Sequence, residues 1–286
     1  MMKSMKTLGR STASLLTALH DERRTIFSLD DAVRILGGTK KTVSNLLSKA
    51  QQRGVVTRLR RGTYILVPFE LGSESVYAGD PWVVADRLFE DKQRYLSHGT
   101  AMAIHGMTQQ PQILVTITVA DRYPETIFAQ GTEIRVTGLP ISQFFGIGRK
   151  WFEHGYVMVS DVERTIVDCL RRPDLCGGFS EIAAGTWMVK EKVKTKKLVD
   201  YALQIKTKAV VNRTGFLMAS CDLGDEEDMQ RLRSALTDTY HLLDPTMPDD
   251  GRFNSRWRLR VNVSEEETRM ARAKARRDLS DSLPAL

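Results

Sequence analysis

Apolar residues in the first seventy positions recur at two different periods. Leu15, Leu16 and Leu19 lie on one helical face and predict a short helix over residues 12–20. Ser28, with Asp31 three positions on, makes a capping-box-like pair that opens a second helix. Its Ala32, Val33, Ile35 and Leu36 are expected to face inward, and Gly37-Gly38 ends it. Thr39 caps a third helix over residues 40–53, stopped by Gly54 in a left-handed position. The period then falls to that of strands: residues 55–59, a turn at Arg60-Arg61-Gly62, and residues 63–67, closed by Pro68.

Beyond this unit, residues 68–79 are rich in turn formers and read as a linker. From Asp80 helical and strand periods mix: helices over 80–90 and 98–105, strands over 113–119, 134–136 and 156–159. A helix over 161–170 is expected to be capped by Ser160, paired with Glu163. The pattern is mainly helical from 177 to 241, then loop over 245–255 and a strand over 257–263. On that strand Arg256, Arg258 and Arg260 would share a face available to an acidic partner or to DNA. Ser264 caps a final charged helix over 264–286. The expectation is a mixed α/β chain: a winged helix-turn-helix over 1–67, a larger α+β domain over 80–263, and a charged tail.

The third helix carries the candidate chemistry. Val43, Leu46, Leu47 and Ala50 form an apolar stripe, while Lys41, Ser44, Asn45, Ser48, Lys49 and Gln52 form a continuous polar seam. These side chains donate to phosphates and base edges, and the preceding Gly-Gly turn sets the helix off from a shorter one. Thr39 and Lys40 lie at its N-terminus, where the helix dipole favours a phosphate. Arg58, Arg60 and Arg61 make the hairpin tip unusually basic and are expected on the DNA backbone or in the minor groove.

Charge sharpens this picture. The chain's +7 is carried entirely by residues 1–67, where thirteen Lys and Arg face four acids for a net of +9, leaving −2 for the remaining 219 residues. A duplex partner accounts for that asymmetry through counterion release, though charge alone would also suit RNA or an anionic membrane face. With 42% hydrophobic and 27% charged residues, the 286-residue chain is long enough for two ordinary domains. No apolar run reaches bilayer length, and Lys3 and Lys6 precede no signal-peptide core, so a cytoplasmic protein without membrane contact is expected. Cys169, Cys176 and Cys221 lack metal-ligand spacing and read as free thiols.

Residues 10–67 resemble the N-terminal winged helix of AbiEi antitoxins, the autoregulating half of type IV toxin–antitoxin phage-defence systems. Tyr95-Leu96-Ser97-His98-Gly99-Thr100-Ala101, Ile104-His105-Gly106 and Pro111 are similar to the opening of that family's second domain. Val159-Ser160-Asp161-Val162-Glu163-Arg164-Thr165-Ile166-Val167-Asp168 with Arg172-Pro173 is similar to its central helix. The likeness covers residues 10–185 and is loose afterwards. It implies repression of the protein's own operon by the N-terminal domain and neutralisation of a nucleotidyltransferase-like toxin by the C-terminal one.

Catalytic readings of the second domain find little purchase. On a helix Ser97 and His98 would point about 100° apart and not easily bond each other, and His105 reads as structural. Asp161 and Asp168 with Arg164 between them read as an ion-paired helix, with Glu163 among the first-turn acids the dipole favours. No acid-x-Lys pair of the restriction-nuclease kind follows the 113–119 strand, and no Gly-rich phosphate loop occurs. No catalytic residue, metal or cofactor is therefore expected. The alternatives left open are a DNA-directed nuclease and a ligand-responsive regulator built on the same winged helix.

Overall fold

The computed structural model describes residues 8–69, 80–108, 110, 113–122, 125–129, 131–152 and 155–264. Residues 70–79 of the linker expected over 68–79, and residues 265–286 of the charged tail expected over 264–286, lie outside them. The chain is mixed α/β.

Its first part runs α1 (Arg10–Asp21), β1 (Ile26–Ser28), α2 (Leu29–Leu36), α3 (Lys40–Gln52), β2 (Val56–Arg60) and β3 (Thr63–Leu66). Ser28 and Asp31 do form a capping box on α2, and Thr39 accepts from the Thr42 amide to cap α3. The α2–α3 turn is made by Gly37 and Gly38 at φ +72° and +84°, a region that favours residues without a Cβ. The three strands form an antiparallel sheet in the order β1-β3-β2. Leu15, Leu16, Leu19, Phe27, Val43, Leu47 and Tyr64 pack between helices and sheet. In α2 only Ala32 is fully buried, while Val33, Ile35 and Leu36 are half-buried against that core.

The second part is built on a six-stranded sheet. It follows α4 (Pro81–Arg87) and comprises β4 (Arg94–Leu96), β5 (Leu114–Ala120), β6 (Glu125–Ala129), β7 (Thr132–Leu139), β8 (Ile147–Phe152) and β9 (Gly155–Ser160), with α5 (His98–His105) after β4. The order is β6-β7-β5-β4-β9-β8, with β5–β7 and β4–β9 parallel and the other neighbours antiparallel. Central β5 is buried on both faces. Val115, Ile117 and Val119 enter an apolar cluster on one side. On the other, Thr116 and Thr118 bond Ser97 through its carbonyl and its hydroxyl.

A helical layer follows: α6 (Val162–Arg171), α7 (Phe179–Met188), α8 (Thr195–Gln204), α9 (Lys208–Ser220) and α10 (Glu226–Ser234). The cap of α6 falls one residue later than expected. Asp161, not Ser160, accepts from the Arg164 amide. Ser160 ends β9 and bonds Thr165, while Glu163 accepts from the Lys194 amide. Trp257 is buried in this layer, where a Cβ on Gly215 would come within 2.1 Å of its ring.

A small sheet closes the described chain, with β12 (Leu259–Val261) parallel to β10 (His241–Leu242) and antiparallel to β11 (Arg252–Asn254). The expected arginine face does not form, because the strand begins only at Leu259. Arg258 sits at φ +49° before it and pairs with Asp238 at 3.5 Å, Arg260 pairs with Asp249 at 2.5 Å, and Arg256 lies over Trp257.

The two parts share an apolar core. Ile26, Leu59 and Ile65 of the first sheet belong to one cluster with Val83, Val84, Leu88 and Phe89 of the α4 segment. This contact fixes the attitude of α3 to the rest of the molecule.

Candidate nucleic-acid interface

Helix α3 buries Val43, Leu47 and Ala50, with Leu46 half-buried beside them. At 100° per residue the opposite face carries Lys41, Asn45, Ser48, Lys49 and Gln52, all exposed, with half-buried Ser44 at its edge. Among the described residues Lys41, Asn45 and Lys49 have neither an ion-pair nor a side-chain hydrogen-bond partner. Their donors point into water, which a phosphate or base edge can replace.

The N-terminus of α3 is more occupied than the sequence suggests. The Thr39 hydroxyl is held by its cap at 3.2 Å and by the Thr42 hydroxyl at 2.9 Å. Lys40 pairs with Asp30 of α2 at 2.7 Å. Both partners are largely exposed, so the pair is screened and worth little, but it offsets the positive charge there.

The seam also forms one wall of a groove. A cleft of about 460 Å³ runs between α3 and the start of α1, lined among others by Arg10, Thr42, Asn45, Lys49 and Arg53. Sequence reasoning misses Arg10 and Arg53. Arg53 continues the Asn45–Lys49 row at four-residue spacing, a signal present in the chain itself. Arg10 joins only through the packing of α1 on α2 and α3. The lining carries three cations and no acid, and Gly9 caps α1 with no side-chain hydrogen bond.

The hairpin tip divides its three arginines. Arg61 is exposed beside Gly62 at φ +79° and has no partner among the described residues. Arg58 is exposed and donates from Nε to the Arg60 carbonyl at 3.3 Å. Arg60 differs. Its Nη2 donates to the Leu88 carbonyl and its guanidinium lies 5.8 Å over the Phe89 ring. The structure brings Lys41, Ser44, Asn45 and Lys49 together on one face and turns Arg60 toward the second part of the chain.

The second part holds a buried polar network, and a separate cleft of about 230 Å³ lined among others by Gly99, Arg135, Asp174 and Glu181. Ser97 and His98 do bond, Oγ to Nδ1 at 2.8 Å, because Ser97 precedes α5 in extended backbone and His98 sits at φ +50°. Both are fully buried, and burial pulls the His98 imidazole down to about 4. Arg164 donates to Asp168 at 3.1 Å and to the Tyr95 hydroxyl at 2.9 Å, with all three side chains buried. Asp161 and Glu163 pair with Lys197 at 3.0 and 3.2 Å. Burial lowers the Lys197 ammonium, yet these two carboxylates hold it above its ordinary value. The three cysteines are free and buried. No cluster of three or more His, Cys, Asp or Glu suited to a metal occurs among the described residues.

With this geometry in view, similarity to known proteins is confined to the fold. No protein-family model and no curated protein matches the chain. A solved structure does: the RV2827C protein from Mycobacterium tuberculosis superposes with a TM-score of 0.62 over 97% of each chain, at 13% identity. The likeness carries the fold alone. It spans the α1–β3 unit and the larger part together, so their arrangement recurs in that solved structure. No helix among the described residues is long and apolar enough to cross a membrane.

Proposed function

We propose that the α1–β3 unit is a winged helix-turn-helix, that β2 and β3 form its wing, and that the protein is a DNA-binding transcriptional repressor. The observation that carries this reading is the α3 face. Lys41, Asn45 and Lys49 are exposed and unpartnered in one row, and their groove adds Arg10 and Arg53 with no acid. A buried-core explanation does not account for that row, because the apolar stripe lies on the other side of the helix. In a major groove Asn45 would read a base edge, with Lys41, Ser44 and Lys49 on bases or phosphates, and Arg10, Arg53, Arg58 and Arg61 on the backbone.

The AbiEi-type part of the proposal rests on the quoted residue resemblance. It makes the protein a cytoplasmic antitoxin that represses its own operon and binds a nucleotidyltransferase-like toxin through its C-terminal part. Inverted-repeat half-sites follow if two copies bind together.

The test is anisotropy titration of a duplex from upstream of the protein's own reading frame against a scrambled duplex. Asn45→Ala is expected to lose roughly 1–3 kcal/mol on the specific duplex and much less on the scrambled one, as for a bidentate base contact. Equal losses on both duplexes would remove Asn45 from base reading. No binding by the wild-type protein to either would end the proposal.

A further inference from the structure

We infer that Arg60 is a positioning residue, a clamp that seats the α3-bearing unit on the second part of the chain. Three kinds of contact converge on the α4 segment. The Arg60 guanidinium donates to the carbonyl of Leu88, the C-cap of α4, where the helix dipole favours a cation. The same guanidinium lies over Phe89, whose ring also receives Arg122 at 5.4 Å. Arg24 forks onto Asp31 at 2.7 and 3.0 Å and reaches Glu90 at 3.4 Å. Between these polar contacts Ile26, Leu59 and Ile65 pack with Val83, Val84 and Leu88.

The β2–β3 register shifts between Arg58 and Arg60, an irregularity of the kind that re-aims side chains. Leu59 enters the shared core while Arg60 turns to α4. A charge that composition assigns to phosphate binding is used inside the molecule. The consequence is that the α3 face is presented in one attitude set by α4, and any displacement of α4 is felt at α3. The effect on DNA binding rests on the winged-helix reading; the clamp itself does not.

Spin labels at Thr17→Cys on α1 and Glu227→Cys on α10, both at exposed positions, measure this attitude without DNA. A single narrow distance distribution is expected in the parent and in Arg61→Ala, and a broadened or shifted one in Arg60→Ala. Arg60→Lys keeps the charge but loses the planar guanidinium that lies over Phe89 while donating to Leu88, so it is expected to behave like Arg60→Ala. Glu90→Gln broadens the distribution through the Arg24 side and covers the case in which Arg60→Ala fails to fold.

On DNA, Arg60→Ala is expected to weaken binding with the salt slope unchanged, whereas Arg61→Ala lowers the slope by about 0.9. An unchanged distribution in Arg60→Ala, or a wild-type Arg60→Lys with a slope reduced by about 0.9 in Arg60→Ala, overturns the clamp. If the protein binds no duplex at all, the distance distributions still decide the matter.

Discussion

Replacing Arg10, Lys49 and Arg53 together by Ala removes the three cations that line the groove beside α3. Lys49 and Arg53 are exposed, and none of the three is in an ion pair among the described residues. The variant should therefore melt within about 0.5 kcal/mol per site of the parent. Its effect on DNA binding is calculable. Each phosphate neutralised contributes about 0.9 to the slope of log K against log salt, so leaving three phosphates without their cations lowers the slope by about 2.7. Between 50 and 200 mM salt the parent then loses about 40-fold more affinity than the variant. The assay is fluorescence anisotropy on one labelled duplex at four or more salt concentrations. A variant that binds more weakly with its slope intact would refute the reasoning, because the three side chains would then act through shape and not through phosphates.

Two further predictions concern the buried network. His98 titrates at about 4 when folded, against an ordinary value near 6.5, so the unfolded chain holds more protons between those limits. Its contribution to stability is fully present above about 6.5 and is lost as pH falls toward 4, a difference of about 3 kcal/mol. Urea denaturation across that window should show His98→Asn flattening the profile relative to the parent, and parallel profiles would contradict it. Asp168→Asn leaves the Arg164 guanidinium buried without its counter-charge and should cost about 3–5 kcal/mol, read as a lowered urea midpoint. A midpoint within error of the parent would mean that the Tyr95 hydroxyl alone suffices for Arg164.

Much of the α1–β3 unit is legible in the sequence because its signals are local. The Ser28–Asp31 box, the Thr39 cap and the Gly37-Gly38 turn need only neighbouring residues, and each stands where the pattern places it. Strands β1, β4, β6, β8, β10 and β11 escape a sequence reading, β11 within the stretch expected to be loop over 245–255. β1 and β4 are three residues long, and β6 and β8 are edge strands whose alternation is weak, so their pairing comes from partners distant in sequence. The α6 cap falls on Asp161 and not on Ser160 because Asp161 offers a second acceptor at the same helix start.

Side-chain destinations are less legible than elements. Asn45 and Lys49 follow from helix phase alone, but Arg60 turns away from the β2–β3 tip because the Leu88 carbonyl, twenty-eight residues on, is its acceptor. Arg10 enters the groove through tertiary packing. Ser97 and His98 bond because His98 adopts a left-handed backbone that no helical projection anticipates. The arginines near the C-terminus have the alternation of one strand face, yet a turn interrupts them before Leu259.

Amide hydrogen exchange of the full chain, with and without a saturating duplex from upstream of its own reading frame, tests most directly whether the α3 face is where DNA sits. The account predicts slowed exchange at the start of α1, along α3 and at the Arg61-Gly62 turn, with the six-stranded sheet unchanged. Slowed exchange confined to the second part of the chain, or none anywhere while the duplex is bound, would contradict it.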